Sequence, residues 1–339
     1  MDDPDNPLLQ VSNIHKSFPM PMSILARVRG RERAAVKALR GVTFSVQRGE
    51  TLGIVGESGC GKSTLARALV RLLTIDDGRI IFDGDDVLSL KGADLRQYNQ
   101  RVQLVFQDPY SSLNPRMTVG QTLREALAVH SICAPSSIPQ RIADLLVLVG
   151  LPRDAADRFP FEFSGGQRQR IGIARALSVE PECLIADEIV SALDVSIQAQ
   201  IINLLMDLQA RLKLTVIFIS HDLRVVRYVS DRVAVMYLGM VVEVGETENI
   251  FKQPVHPYTS ALLAAAPDLD PAKKSTVDAV HGELPSPLNV PPGCAFHPRC
   301  PRAIDLCRVQ VPTQTYGAAG GFATCHLPNT YPKPLGNTA

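Results

Sequence analysis

Short, almost wholly apolar runs recur along this chain, and most of them end on a polar residue. Thr51–Val55, Val102–Phe106, Cys183–Ala186 and Leu214–Ile219 are of this kind, and runs of four to six apolar residues predict buried strands. Leu8–Ser17 instead alternates, with Leu9, Val11 and Ile14 on one side, and predicts a strand closing at Phe18 and Pro19. Val42–Val46 and Arg79–Phe82 read as further strands, the second entered through a hairpin-like turn at Asp76-Asp77-Gly78. Helical spacing takes over at Ser63–Leu73, at Thr118–His130 and at Pro139–Val149, where Leu123, Leu127, Ile142, Leu145, Leu146 and Val149 form the apolar stripe. Two more helices are expected, one opening at Ser164-Gly165-Gly166 and running to Leu177, the other over Ile197–Leu212 with Ser191–Asp194 as its cap. Buried strands interleaved with helices predict an α/β class.

The residues at the strand ends carry the chemistry. Thr51–Val55 delivers Gly56-Glu57-Ser58-Gly59-Cys60-Gly61-Lys62-Ser63-Thr64, the G-x-x-x-x-G-K-[ST] pattern between a strand and a helix. Its glycines permit positive φ and close backbone approach, so amide groups can face a polyphosphate at a positive helix end. Lys62 is then placed to reach the β- and γ-phosphates, and Ser63 to give Mg²⁺ an oxygen. Val102–Phe106 delivers Gln107, as a ligand contact or as the start of a turn. Cys183–Ala186 delivers Asp187-Glu188; two carboxylates at a buried strand end are costly unless a cation or a partner compensates them, which fits Asp187 holding Mg²⁺ through water and Glu188 polarising the attacking water. Leu214–Ile219 delivers His221, either a satisfied turn histidine or a contact to the γ-phosphate. Ser164-Gly165-Gly166-Gln167 makes a second helix N-terminus suited to an anion. Phe18 stands open between a core aromatic and a ring stacked on adenine.

Composition narrows the partners. With 35 basic and 34 acidic residues the net charge is +1, so no broad field points to nucleic acid. No apolar run approaches membrane-spanning length and Met1–Asp5 is acidic, so a cytoplasmic location is expected. The loop between Pro19 and Ala35 carries Arg27, Arg29, Arg31 and Arg33, a solvated charge run or a contact to lipid headgroups or a membrane partner. Beyond a polar linker at Pro267–Asp278 the chain is proline-rich from Gly282, which predicts a small, irregular cap with little core. Four of the seven cysteines fall there, Cys294, Cys300, Cys307 and Cys325, spaced C-x5-C-x6-C-x17-C. In a cytosolic chain such clustering favours metal over disulfides. Zinc prefers tighter pairs, an iron–sulfur cube tolerates wider spacing, and uncoordinated thiols remain a third reading. His297 is a surface residue or a substitute ligand.

Taken in order, Gly56–Thr64, Gln107, Ser164–Gln167, Asp187-Glu188, Asp194 and His221 resemble an ATP-binding-cassette (ABC) ATPase. The resemblance implies a P-loop NTPase (RecA-like) α/β nucleotide-binding domain over residues 1–266, with a helical subdomain at about 110–172, followed by a linker and cysteine-rich C-terminal extension at 267–339. It also implies two cassettes head to tail, the cradle of one and the Ser164–Gln167 turn of the other enclosing each ATP. Gln107 would then sense Mg²⁺ and meet the coupling helix of a permease, Asp194 would act across the dimer, and His221 would hold the γ-phosphate. Two departures appear: Phe163 stands where leucine is usual, and Ile189-Val190 where Pro-Thr or Ala-Val is commoner. Neither removes a polar catalytic atom.

Ser111–Arg116, Ser191–Ser196 and His256-Pro257-Tyr258-Thr259 are, with the cradle, similar to ATPase subunits of oligopeptide and dipeptide importers, most of all the second ATPase subunit of a dipeptide permease. That group also serves nickel, glutathione and other small solutes. The implied partners are a second ATPase subunit, commonly a paralogue, two transmembrane permease subunits and an extracytoplasmic substrate-binding protein, with this chain at the cytoplasmic face of the inner membrane. A [4Fe–4S] cluster on the four cysteines is implied, with zinc as the alternative. A soluble cassette acting on nucleic acid or the ribosome usually carries a long coiled-coil insert or two cassettes, and this chain has neither.

Overall fold

A computed structural model describes residues 6–20, 34–108, 113–191, 193–265, 283–317 and 321–327. The basic loop arginines, Ser111-Ser112, Ala192 and the linker at Pro267–Asp278 lie outside the described residues. The chain divides into two compact units.

The first unit comprises Met1–Pro7, Val46–Thr51 and Asp85–Ser220. Its strands Val102–Val105, Cys183–Asp187 and Thr215–Ile219 run parallel, with Val105 opposite Ala186 and Asp187 opposite Ile219. Every residue of the last two is buried, which is why they read as unbroken apolar runs rather than alternating ones. The parallel direction requires long crossovers. Helix Val195–Leu212 makes one of them, and the helices Val119–Val129, Ile138–Leu148 and Gly165–Leu177 lie in the other. Leu123, Leu127, Ile142, Leu145, Leu146 and Val149 are all buried, as their spacing predicts. Thr118 caps the first of these helices: its hydroxyl accepts from Gln121 N, while the Gln121 side chain accepts from Thr118 N. Helix Gly92–Arg101, rich in polar residues and with only Tyr98 buried, had no apolar stripe to betray it.

The second unit comprises Leu8–Ser45, Leu52–Gly84 and His221–Ala339. Leu9–Pro19 pairs antiparallel with Asp77–Phe82 on one side and is hydrogen-bonded to Ala35–Val46 on the other. The expected turn at Asp76–Gly78 is thus already strand from Asp77, with Gly78 at φ +103° because its α-carbon lies against the Asn13 carbonyl. Thr51–Val55 pairs in parallel with Arg232–Tyr237, and Met240–Glu246 returns antiparallel to the latter.

The C-terminal cysteine-bearing segment departs from expectation. It includes a helix at Asp305–Val309 and a hairpin of Gln314–Tyr316 with Phe322–Thr324. Phe322–Thr324 adds to Met240–Glu246, with Val244 opposite Phe322. Prolines do break the segment up to Pro298, but a β-edge with open hydrogen-bonding groups takes up its end. The segment therefore has a core after all, borrowed from the sheet: Phe296, Phe322 and Ala323 are buried.

Candidate active site

The cradle lies in the second unit. Gly61 sits at φ +108°, and a β-carbon there would stand 2.4 Å from the Ala38 carbonyl oxygen, so only glycine fits. It is the N-cap of helix Lys62–Leu69, shorter than expected from the apolar spacing. Ser63 and Thr64 occupy the first turn of that helix. Lys62 Nζ donates to the carbonyls of Gly56 (2.8 Å) and Glu57 (3.2 Å), which folds the ammonium into the loop. Cys60 is buried, and burial raises its thiol pKa against the pull of Lys62, so it stays neutral. Glu57 departs from the role of a simple phosphate contact. Its amide donates to Tyr258 Oη at 3.1 Å, and its carboxylate accepts from Arg299. Sequence reasoning missed Arg299 altogether, because a partner 242 residues away leaves no local pattern.

Two further predicted residues belong to the same unit. His221 is exposed and precedes Asp222, whose carboxylate caps helix Leu223–Val229 by accepting from Arg224 N at 2.9 Å. Phe18 is 38% exposed, with Lys16 Nζ 5.7 Å from its ring centre, so it is not a core aromatic.

Asp187, Glu188 and Gln107, read at the other strand ends, lie in the first unit. Asp187 closes its strand and is buried. Glu188 follows at φ +48°, left-handed for a non-glycine, its amide fixed on the Ile219 carbonyl at 2.9 Å. Such backbone strain clusters at functional sites. Gln107 Nε2 donates to Glu188 Oε2 at 3.0 Å and to Ser191 Oγ at 3.3 Å, while Ser191 Oγ donates to the Glu188 carbonyl at 2.9 Å. Gln107 and Glu188, read separately from two strand ends, are thus brought into contact, and Ser191 joins them. Parallel pairing of the two strands in register is what aligns their ends.

Ser164 caps helix Gly165–Leu177: its hydroxyl accepts from Gln167 N, and Gln167 Oε1 accepts from Ser164 N at 3.0 Å. Gly166 is buried, and a β-carbon there would lie 2.4 Å from Ile197 Cγ2. Phe163 is buried under the Arg158 guanidinium, 4.5 Å from its ring centre. Asp194 holds the N-cap position of Val195–Leu212, but its side chain makes no capping bond.

Residues 39–191 match the ABC transporter family model, and residues 242–307 match that of the oligopeptide/dipeptide transporter C-terminal region. The chain is 50% identical over 320 residues, 94% of its length and 90% of the relative's, to a probable peptide ABC transporter ATP-binding protein, y4tS, of Sinorhizobium fredii. The chain belongs to the ABC transporter ATP-binding proteins. The oligopeptide transport ATP-binding protein AppF of Bacillus subtilis is 48% identical over 325 residues, 94% of this chain and 97% of that one. Among solved structures, the ATP-binding cassette MJ0796, a dimer in a post-hydrolysis state with ADP and Pi, superposes with a TM-score of 0.60 at 26% identity, covering 70% of this chain and 98% of that one. The fold is accordingly that of a P-loop NTPase, and this ABC protein hydrolyses ATP in coupling to transport. No helix among the described residues is long and apolar enough to cross a membrane, as befits a subunit peripheral to it.

None of the C-terminal cysteines Cys294, Cys300, Cys307 and Cys325 of this ABC protein is joined in a disulfide. Burial pushes Cys294 up to about 11 and raises Cys300 and Cys325 as well. Among the described residues, no group of three or more His, Cys, Asp or Glu is placed to hold a metal ion. The quartet does not fit a single-ion cage.

Proposed function

We propose that this chain energises import of di- and oligopeptides from the cytoplasmic face of the inner membrane. It would work as one half of a nucleotide-binding pair, commonly with a paralogue, beneath two permease subunits fed by an extracytoplasmic binding protein. The match of residues 242–307 to the oligopeptide/dipeptide transporter C-terminal region carries the peptide reading. In this reading Lys62 binds the β- and γ-phosphates, Glu188 orients the attacking water and His221 holds the γ-phosphate. Ser63, Gln107 and Asp187 offer the hard oxygen donors that Mg²⁺ takes, and the ion offsets phosphate charge when bound. The Gln107–Glu188 hydrogen bond supports these roles, since it links a metal sensor to the carboxylate beside the water. Ser164–Gln167 and Asp194 face the partner's ATP, and the Asp194 carboxylate is not consumed by its own helix cap. Phe18, partly exposed at a strand end, serves as the adenine platform. The whole reading is tested by ATP hydrolysis of the assembled complex in vesicles. Stimulation by di- and tripeptides is expected; stimulation by nickel or glutathione alone would replace the cargo.

A [4Fe–4S] cluster on Cys294, Cys300, Cys307 and Cys325 belongs to the same proposal. It rests on the family resemblance and on all four thiols lying within one another's electrostatic reach, not on a ready-made cage. Iron with acid-labile sulfide in the purified chain is the expected result, and zinc without sulfide would contradict it.

A further inference from the structure

Glu57 is the second residue of the phosphate loop, and a carboxylate there is an electrostatic liability. Unpaired, it would repel the triphosphate that the loop has to receive. The structure gives both of its polar groups a partner from the segment after residue 242. Arg299 Nη1 donates to Glu57 Oε1 at 3.0 Å and to Oε2 at 3.2 Å, and the Arg299 side chain is only 8% exposed against 25% for Glu57. The amide of Glu57 donates to Tyr258 Oη.

Arg299 is not a wandering surface cation. It ends the single turn His297–Arg299, whose amides bond back in series: His297 N to the Cys294 carbonyl at 3.0 Å, Arg299 N to the Phe296 carbonyl at 3.0 Å, Cys300 N to the His297 carbonyl at 3.3 Å. Phe296, next to that turn, packs edge-on against Tyr237 at 5.3 Å and Tyr258 at 5.4 Å between ring centres. Tyr237 follows Met236, whose carbonyl lies against Gly56 so closely that a β-carbon there would stand 2.2 Å away. One aromatic cluster therefore fixes the cation, the tyrosine and the strand behind the loop.

We propose that Arg299 is a positioning residue for ATP: it neutralises Glu57 and, with Tyr258, holds the second residue of the phosphate loop in place. The cysteine-bearing C-terminal segment is then a brace of the nucleotide site. This inference rests on reading Gly56–Thr64 as the phosphate cradle.

The test is the affinity of the purified full-length chain for Mg·ATP, with thermal unfolding recorded alongside. Arg299→Ala should weaken binding roughly ten-fold, the effect of one uncompensated charge in a partly solvated site. Adding Glu57→Gln to it should restore affinity to within about three-fold, because the repelling charge has gone. A purely structural role of Arg299 would leave the double variant as weak as the single one and would overturn the proposal, as would wild-type affinity in Arg299→Ala. Arg299→Lys, which keeps the positive charge opposite Glu57, should bind more tightly than Arg299→Ala; affinity no better than that of Arg299→Ala would also overturn it. Lys62→Ala is the separate control: undiminished binding in that variant would sink the cradle reading itself, whatever Arg299 does.

Discussion

Glu188 and His256 show how far one residue's environment decides its chemistry. Glu188 adopts a left-handed backbone, Ser191 Oγ donates to its carbonyl and Gln107 Nε2 donates to its carboxylate, so Gln107 aims the side chain rather than leaving it to sample rotamers. His256 is fully buried among aromatic rings, its Nδ1 accepting from Tyr258 N at 3.0 Å. Burial lowers its pKa from 6.5 to about 4, so the ring stays neutral. An unfolded chain takes up that proton near 6.5 and the folded one only near 4; between these values stability falls as pH falls, and below about 4 the loss is complete. From this ring alone the native state should be roughly 2 kcal/mol less stable at pH 5 than at pH 8. Glu243, whose carboxyl is raised by burial, acts in the opposite sense. Urea unfolding of wild type and His256→Gln across that range isolates the ring: the variant's stability should depend less steeply on pH, and equal slopes would refute a neutral buried histidine.

At the scale of elements, caps and apolar runs were legible because their causes are local. Ser164-Gly165-Gly166-Gln167 is a capping box whose two reciprocal bonds span three residues, and the helix it opens ends at Leu177 as its pattern predicts. Thr51–Val55 could be read from the sequence because burial on both faces leaves no polar position in it after Thr51. What was not legible depends on distant partners. Asp77 and Gly78 look like a turn and are strand, because Leu9–Pro19 supplies the ladder. The hairpin after Gln314 was hidden by the prolines before it and exists because Met240–Glu246 offers an open edge. Gly166 belongs to neither group: it reads as part of an anion-binding turn, yet its lack of a side chain also admits Ile197. Gly166→Ala should cost about 1–3 kcal/mol in urea unfolding, the usual range for overpacking. Ile197→Ala in the same chain, which removes the Cγ2 methyl that the new β-carbon meets, should recover part of that. An unchanged midpoint in Gly166→Ala would show that the helices do not meet there.

For the molecule as a whole, the glycine-rich loop, Glu188 and Gln107 were found at the ends of apolar runs, but Arg299, which braces the loop, was not. Arg299 comes from a segment whose sequence speaks only of cysteines and prolines, and the contacts that tie it and Tyr258 to Glu57 exist only in the fold. Membership of the ABC ATP-binding proteins makes hydrolysis the shared activity; the pairing with a second ATPase is the part we propose. The measurement that bears most directly on this account is ATP turnover by the assembled complex in vesicles, with peptide supplied, for wild type and Glu188→Gln. Removing the carboxylate should lower turnover by roughly a hundred-fold or more while Mg·ATP still binds, and peptide should no longer stimulate it. Undiminished, peptide-stimulated hydrolysis in Glu188→Gln would contradict the account.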